Sequence, residues 1–356
     1  MTYDYSLYLW HTVYHFLLFL IIASKDVGST HIYFHVSDEI DEKVKILMRI
    51  LVEEVLGQSN VSLEFINIRN LFIKKNIRFV REYLIYNFLK NDIIHLNINN
   101  LKSVFVYNDT YVFIKKLINF FRKYNKKIYL VEDGLAIYRD YKVTVSELYK
   151  FLYRLVYWVK FTSFIWEFTL YDGVYAVYPS KIRTDIHYKK KYKINLRSLL
   201  KLVNRSTIER IINTFNEILF LKGIDKIDLI FVLPHSESLI DINSYIFYLR
   251  EFLTKVTREN RIKILVKYHP REKNKYLDEF THCQKIYEIP SFFPIELIYL
   301  IFQIYKIKVD FIVWDISTAL FTAKELLPNI KVISNYNFIK DNMVNKNYDI
   351  IYDLIE

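Results

Sequence analysis

Five short stretches of this 356-residue chain place side chains capable of acid–base or anion-binding chemistry side by side. Glu132-Asp133-Gly134 sets two carboxylates before a glycine. Such a pair can supply one group that binds an acceptor and one base, with a pKa raised in an apolar cleft, although Asp-Gly is also a common turn dipeptide. In Lys267-Tyr268-His269-Pro270 the proline fixes the backbone behind a histidine, which can hold a proton donor in place. Lys267, two residues earlier, shares the side of His269 and adds positive charge for an anionic ligand. Asp315-Ile316-Ser317-Thr318 offers hydroxyls at a helix start, where they cap free N–H groups and where the dipole attracts phosphate. Pro234-His235-Ser236-Glu237 carries an imidazole and a carboxylate. Pro294-Ile295-Glu296 opens a helix, where Glu296 could accept hydrogen bonds from sugar hydroxyls or serve only the helix dipole.

In open parallel sheets ligands bind beyond the carboxyl ends of the strands, and most of these stretches directly follow a predicted strand. The pattern predicts strands over Ser6–Trp10, His31–Val36, Val61–Ile66, Ile93–Ile98, Ser103–Tyr107 and Lys127–Val131, with helices over Val13–Ala23, Glu39–Leu56, Arg78–Leu89 and Tyr111–Tyr124. A second alternating half holds strands Asp228–Leu233, Arg261–Val266, Gln284–Ile289, Val309–Trp314 and Ile330–Ser334. Its helices are Thr207–Phe220, Ile242–Thr257, Ile295–Tyr305 and Thr318–Leu326. Strands alternating with helices imply parallel sheets covered on both faces, an α/β chain. Between the halves lie the aromatic stretch Leu148–Tyr171 and an irregular basic segment, Lys181–Arg205. The expected domains are therefore 1–205 and 206–356.

Composition narrows the function classes. The five glycines stand singly, which removes the phosphate loop and the GxGxxG fingerprint. Cys283 is the only cysteine, so an intrachain disulfide and a thiolate zinc cluster are excluded and a reduced, cytosolic site of action fits. Residues 6–24 lack Asp, Glu, Lys and Arg over 19 positions, near the length of a membrane span. His11, Thr12 and His15 interrupt that run, which favours a strand followed by a helix. The net charge of +11 favours anionic partners.

The order acidic-acidic-Gly, His-Pro and Ser-Thr resembles the three short motifs of the bacterial sialyltransferases. Within that group the chain is most similar to the lipooligosaccharide and capsule enzymes of glycosyltransferase family fifty-two, in the contexts Val131-Glu132-Asp133-Gly134-Leu135, Tyr268-His269-Pro270-Arg271 and Leu327-Pro328-Asn329-Ile330. The resemblance implies a GT-B fold, two facing Rossmann-like domains with the cleft between them. The first would be on the acceptor side and the second would bind the CMP donor. It implies inverting, metal-independent transfer of sialic acid from CMP-sialic acid to a galactose-type hydroxyl, with no cofactor. His269 would protonate the departing phosphate, Ser317 and Thr318 would bind it, Lys267 would contact the cytosine and Glu296 the ribose. Gly134 and Pro270 enter as motif members. Related polysialyltransferases share the same motifs, and a different nucleotide sugar on the same scaffold is a further alternative. For the general base, Glu237 ranks slightly ahead, with Glu132 and Asp133 positioning the acceptor.

A non-catalytic basic protein binding membrane or nucleic acid is the competing class; no nucleic acid is expected under the leading reading, and a homodimer is the assembly considered. Lys181, Arg183, Lys189, Lys190, Lys191, Lys193 and Arg197 follow Trp158, Phe161, Phe164 and Trp166. Aromatics beside cations suit an anionic lipid surface. The expectation is peripheral attachment to the inner face of the cytoplasmic membrane, where a glycan or lipid-linked glycan acceptor would lie.

Overall fold

The computed structural model describes residues 4–26, 30–37, 41–57, 61–67, 78–95, 97–109, 111–138, 146–159, 162, 169–236, 239–258, 262–270, 272, 275, 277, 286–314 and 319–334. The chain divides between Asn195 and Leu196 into two compact units, each built on one parallel sheet.

In the first unit the strands are β1 (Tyr5–Trp10), β2 (Thr30–Ser37), β3 (Val61–Asn67), β4 (Leu101–Val106), β5 (Lys127–Val131), β6 (Gly173–Ala176) and β7 (Lys191–Lys193). They stand in the order β3-β2-β1-β4-β5-β6-β7, and every pairing is parallel. All six residues of β1 are buried, as a strand covered on both faces requires. The uncharged run breaks as expected, with α1 spanning Val13–Ala23. Thr12 causes the break. Its hydroxyl accepts from the His15 N–H, and the His15 ring accepts from the Thr12 N–H, a reciprocal cap that starts the helix. Among the described residues no helix is long and apolar enough to cross a membrane.

The helices α2 (Glu42–Leu56), α3 (Arg78–His95) and α4 (Val112–Lys123) belong to this unit, and α5 (Glu147–Tyr157) lies in the aromatic stretch. Two expectations change here. The strand expected over Ile93–Ile98 is instead the end of α3 followed by a 3-10 turn at Ile98–Asn100. Buried Leu89 and Ile93 lie four residues apart on one helix face, and a short apolar run cannot distinguish that from a strand. The segment expected to be irregular holds the strand β7, which with β6 widens the sheet. Lys191-Tyr192-Lys193 is an edge strand with charged flanks, and Tyr192 stacks on Tyr175 at 4.6 Å. Gly173 permits this close packing, since a Cβ there would lie 2.5 Å from the Tyr192 ring.

In the second unit β8 (Lys226–Val232), β9 (Ile264–Lys267), β10 (Ile286–Ile289), β11 (Lys308–Trp314) and β12 (Lys331–Ser334) form a parallel sheet in the order β10-β9-β8-β11-β12. The helices are α6 (Leu199–Leu202), α7 (Arg205–Thr214), α8 (Ile242–Arg258), α9 (Ile295–Tyr305) and α10 (Ala319–Leu326). Tyr245, Leu249 and Leu253 of α8 pack with Leu229, Phe231, Ile264 and Val266 in one buried cluster. Residues 196–204 belong to this unit; Arg197 Nε donates to the Glu325 carbonyl at the end of α10, at 2.9 Å. The helix expected over Thr207–Phe220 stops at Thr214, and a 3-10 stretch covers Asn216–Gly223. Phe215, extended at φ −115°, buries its ring against Phe292 and Phe293, so tertiary burial outweighs continued helix. In each sheet the strand order reverses beside the first strand, between β1 and β4 and between β8 and β11. Such reversals are where open α/β sheets bind ligands.

Candidate active site

The acidic pair lies one strand from the first reversal, at the exit of β5. Glu132 is 2% exposed. Its Oε1 accepts from the Tyr14 hydroxyl, and its Oε2 accepts from the Tyr138 hydroxyl and, at 2.7 Å, from the Val177 N–H. Burial pushes its pKa up, against the pull of these donors and of His15. With both oxygens occupied, Glu132 ties α1, the turn after β5 and the residue after β6 to one point. Gly134, at φ +57°, then takes the left-handed backbone that turns the chain immediately after Asp133.

Asp133 differs from its neighbour. Its side chain is 29% exposed, Oδ1 lies 2.7 Å from His15 Nε2, and Oδ2 accepts from Asn108 Nδ2 at 3.3 Å. His15 Nδ1 accepts from the Thr12 N–H, so in the neutral ring the proton sits on Nε2 and points at Asp133. Burial would raise the Asp133 carboxyl, but the charge and hydrogen bond of His15, with Asn108 and His11, hold it below the ordinary value. His15 is 1% exposed and stacks on Tyr107 at 4.4 Å, so its orientation is fixed by burial, by that ring and by the hydrogen bonds at its two nitrogens. Asp133 is thus the carboxylate of the pair that remains open to a ligand, and its partners hold it ionised. Nothing in the sequence alone assigns roles to His15, Tyr14, Asn108 or Tyr138. The available signal was the pair of histidines interrupting an otherwise uncharged run.

Glu132→Gln tests the division of labour within the pair. An amide offers one acceptor oxygen and brings an N–H against a donor. Loss of one hydrogen bond to a charged group costs about 1.5–3 kcal/mol. The variant should lose about that much stability in urea unfolding; an unchanged midpoint would return Glu132 to the reacting groups.

The second unit holds the His-Pro motif at the exit of β9. His269 is half-buried, with its ring centroid 5.1 Å from that of His235, which follows β8. Glu272 joins the two turns: its N–H donates to the His269 carbonyl at 2.9 Å, and its Oε2 accepts from the Ser236 N–H at 2.8 Å. Pro270 is exposed beside them. Lys267, expected to add positive charge at the strand end, is 3% exposed and donates to the carbonyls of Tyr268 at 2.8 Å and Ser291 at 2.9 Å. Burial pushes its ammonium pKa down, partly offset by Glu296 and Glu288. Glu296, in the first turn of α9, is 6% exposed and its carboxyl is pushed up by burial, partly offset by its own N–H and by Lys267. These are coupled groups beneath the strand ends and not surface charges. Glu237, Ser317 and Thr318 lie outside the described residues, as do Phe161, Phe164 and Trp166.

Of the seven basic residues expected to form a patch, Arg183 does not contribute. It is buried and makes a two-pronged contact with Asp185, at 2.9 and 3.0 Å. Lys189 is exposed and pairs with Asp172 at 2.7 Å. Lys181, Lys190, Lys191, Lys193 and Arg197 are exposed. Among the described residues no group of three or more His, Cys, Asp or Glu could hold a metal ion.

The model of the alpha-2,8-polysialyltransferase family matches residues 6–336. No curated protein matches the chain. Among solved structures, UDP-GlcNAc 2-epimerase of Methanocaldococcus jannaschii, in complex with UDP-GlcNAc and UDP, is similar at 15% identity and a TM-score of 0.57, covering 98% of this chain and 86% of that one. UGT2 of Phytolacca americana, complexed with UDP-2fluoro-glucose and pterostilbene, is similar at 9% identity and a TM-score of 0.55, covering 99% and 83%. A UDP-glucosyltransferase from Polygonum tinctorium is similar at 9% identity and a TM-score of 0.52, covering 100% and 90%. At these identities the likeness concerns the fold alone: two Rossmann-like parallel sheets, the GT-B class.

Proposed function

We propose that this chain, which belongs to the alpha-2,8-polysialyltransferase family and is therefore a sialyltransferase, moves sialic acid from CMP-sialic acid to a galactose-type hydroxyl of a cell-surface glycan, with inversion and without a metal or cofactor. The observation that carries this reading is the family match itself, because residues 6–336 include the acidic pair, His269-Pro270 and Ser317-Thr318 in one span. The lipooligosaccharide and capsule acceptors of glycosyltransferase family fifty-two are the leading acceptor class. The family's description favours a second reading, addition of sialic acid to a glycan that already ends in sialic acid.

Glu237, ranked slightly ahead as base on sequence, lies outside the described residues, whereas Asp133 is open and held ionised. In the proposed reaction Asp133 therefore takes the proton of the acceptor hydroxyl as that oxygen attacks the anomeric carbon from the face opposite the phosphate. The bond from that carbon to the CMP phosphate oxygen breaks, and His269 gives the leaving phosphate a proton. Glu237 is the competing base, and activity surviving Asp133→Asn but not Glu237→Gln would favour it. Lys267 and Glu296 contribute to the nucleoside end, and Ser317 and Thr318 hold the phosphate. Peripheral attachment to the inner face of the cytoplasmic membrane, through the exposed lysines around β7, would bring the enzyme to a lipid-linked acceptor.

Incubation with CMP-sialic acid and either lactose or a sialylated oligosaccharide, with CMP release measured, tests the reading and separates its two forms. Release of CMP with neither acceptor above the hydrolytic background would overturn both. The Ser317→Ala/Thr318→Ala double variant should bind CMP more weakly by about 1.5–3 kcal/mol for each lost hydrogen bond to the charged phosphate, with acceptor KM little changed. Unchanged CMP affinity by calorimetry would leave these hydroxyls as helix caps. EDTA should not alter the rate.

A further inference from the structure

The helix α5 carries the i, i+3, i+4, i+7 apolar spacing of a core helix, but in the structure that stripe points outward. Leu148 is 66% exposed, Phe151 58%, Leu152 48%, Leu155 56% and Val156 44%, and no residue of α5 is buried. On its other side the helix meets the unit at Tyr153, which lies under the Lys115 ammonium at 5.6 Å, while Tyr157, one turn further along the same helix, packs on Tyr153 at 4.5 Å. Contiguous exposed apolar surface of this kind marks an interaction site. A second observation sharpens it. The helix ends at Trp158, which is 85% exposed and held at φ +58°, a left-handed position that glycine or asparagine usually fills. A bulky side chain strained at such a position, with its ring in solvent, points to a use for the ring outside the folded unit.

We propose that α5 and Trp158 insert into the interfacial layer of an anionic lipid bilayer. This rests on the peripheral attachment proposed above and names the element that enters the membrane. The composition fits that occupant: leucine and phenylalanine on one stripe, tyrosine and tryptophan at the ends, and Lys150 and Arg154 as cations against one acid, Glu147, on a chain of net charge +11. The exposed lysines around β7 supply the long-range attraction, and α5 supplies the apolar contact.

Co-sedimentation of the full chain with vesicles of phosphatidylglycerol and phosphatidylethanolamine, against vesicles of phosphatidylcholine, tests the proposal. The wild type should bind the anionic vesicles, and Phe151→Ser/Leu152→Ser/Leu155→Ser should weaken binding about tenfold or more. Trp158→Gly should weaken binding while keeping or raising the melting temperature, because glycine relaxes the left-handed position; a purely structural tryptophan would instead lower it. Wild-type binding by the triple-serine variant overturns the role of α5. If Lys189, Lys190, Lys191 and Lys193 changed to Gln then abolish binding, the peripheral attachment survives without α5. A wild type that ignores anionic vesicles overturns both, and one that then dimerises while the triple-serine variant stays monomeric assigns the stripe to a second copy of the chain. Transfer of sialic acid to a soluble acceptor should not change in any α5 variant.

Discussion

Replacing His269 by alanine is expected to lower the rate of sialic acid transfer by about 100- to 10,000-fold, the usual worth of a general acid or base. The phosphate leaves as a charged group, and a half-buried imidazole at the exit of β9 can protonate it without moving the strand. The substitution removes a side chain from a turn held by other contacts: the Glu272 N–H bond to the residue's carbonyl, at 2.9 Å, is a backbone bond and survives. Folding and CMP affinity should therefore stay close to wild type. Single-turnover rates, with calorimetric titration of CMP, separate the two effects. Near wild-type turnover would remove His269 from the acid role. A parallel loss of CMP affinity would make it a binding residue instead.

The second large effect is expected at Asp133. Asp133→Asn should lose about 100- to 10,000-fold in kcat if that carboxylate is the base, while Glu132→Gln should mainly lose stability. The pH profile gives the finer test. The folded carboxyl is held below the ordinary aspartate value, so the base form persists down to a lower pH than for a free carboxylate. Any contribution of this group to stability is likewise present above the unfolded pKa and lost as pH falls through the folded one. His15→Phe keeps the stacking on Tyr107 but removes the N–H that points at Oδ1. Burial is then opposed only by Asn108 and His11, and the acid limb of the rate profile should move upward, with a rate loss of about ten- to hundredfold at neutral pH. His15→Gln keeps an amide N–H in reach and should restore most of the rate. A limb that stays in place in both variants would make His15 a packing residue only. His15 touches Asp133 and not the substrate, so its role is one of positioning.

The alternation of short apolar strands with longer amphipathic segments, legible in the sequence, determined an α/β chain with two parallel sheets, because a strand covered on both faces has to be apolar throughout. The scarcity of glycine excluded phosphate loops, and the order of three motifs directed attention to the strand exits. Those inferences rest on local periodicity and on residue type, which the chain carries without being folded. The sequence did not distinguish the end of α3 from a strand, nor β7 from a charge run, since a few residues of either kind satisfy both patterns. The roles of the acidic pair were equally hidden. Glu132 and Asp133 are adjacent in sequence, and only the arrival of Tyr14 and His15 from α1, Asn108 after β4, and Tyr138 and Val177 around them decides which is closed and which is open. The same holds for α5, whose spacing reads as a core helix and whose stripe faces solvent. Burial and the direction of a side chain are properties of what packs against it, and those neighbours come from residues as far as 118 positions away, as for His15 and Asp133.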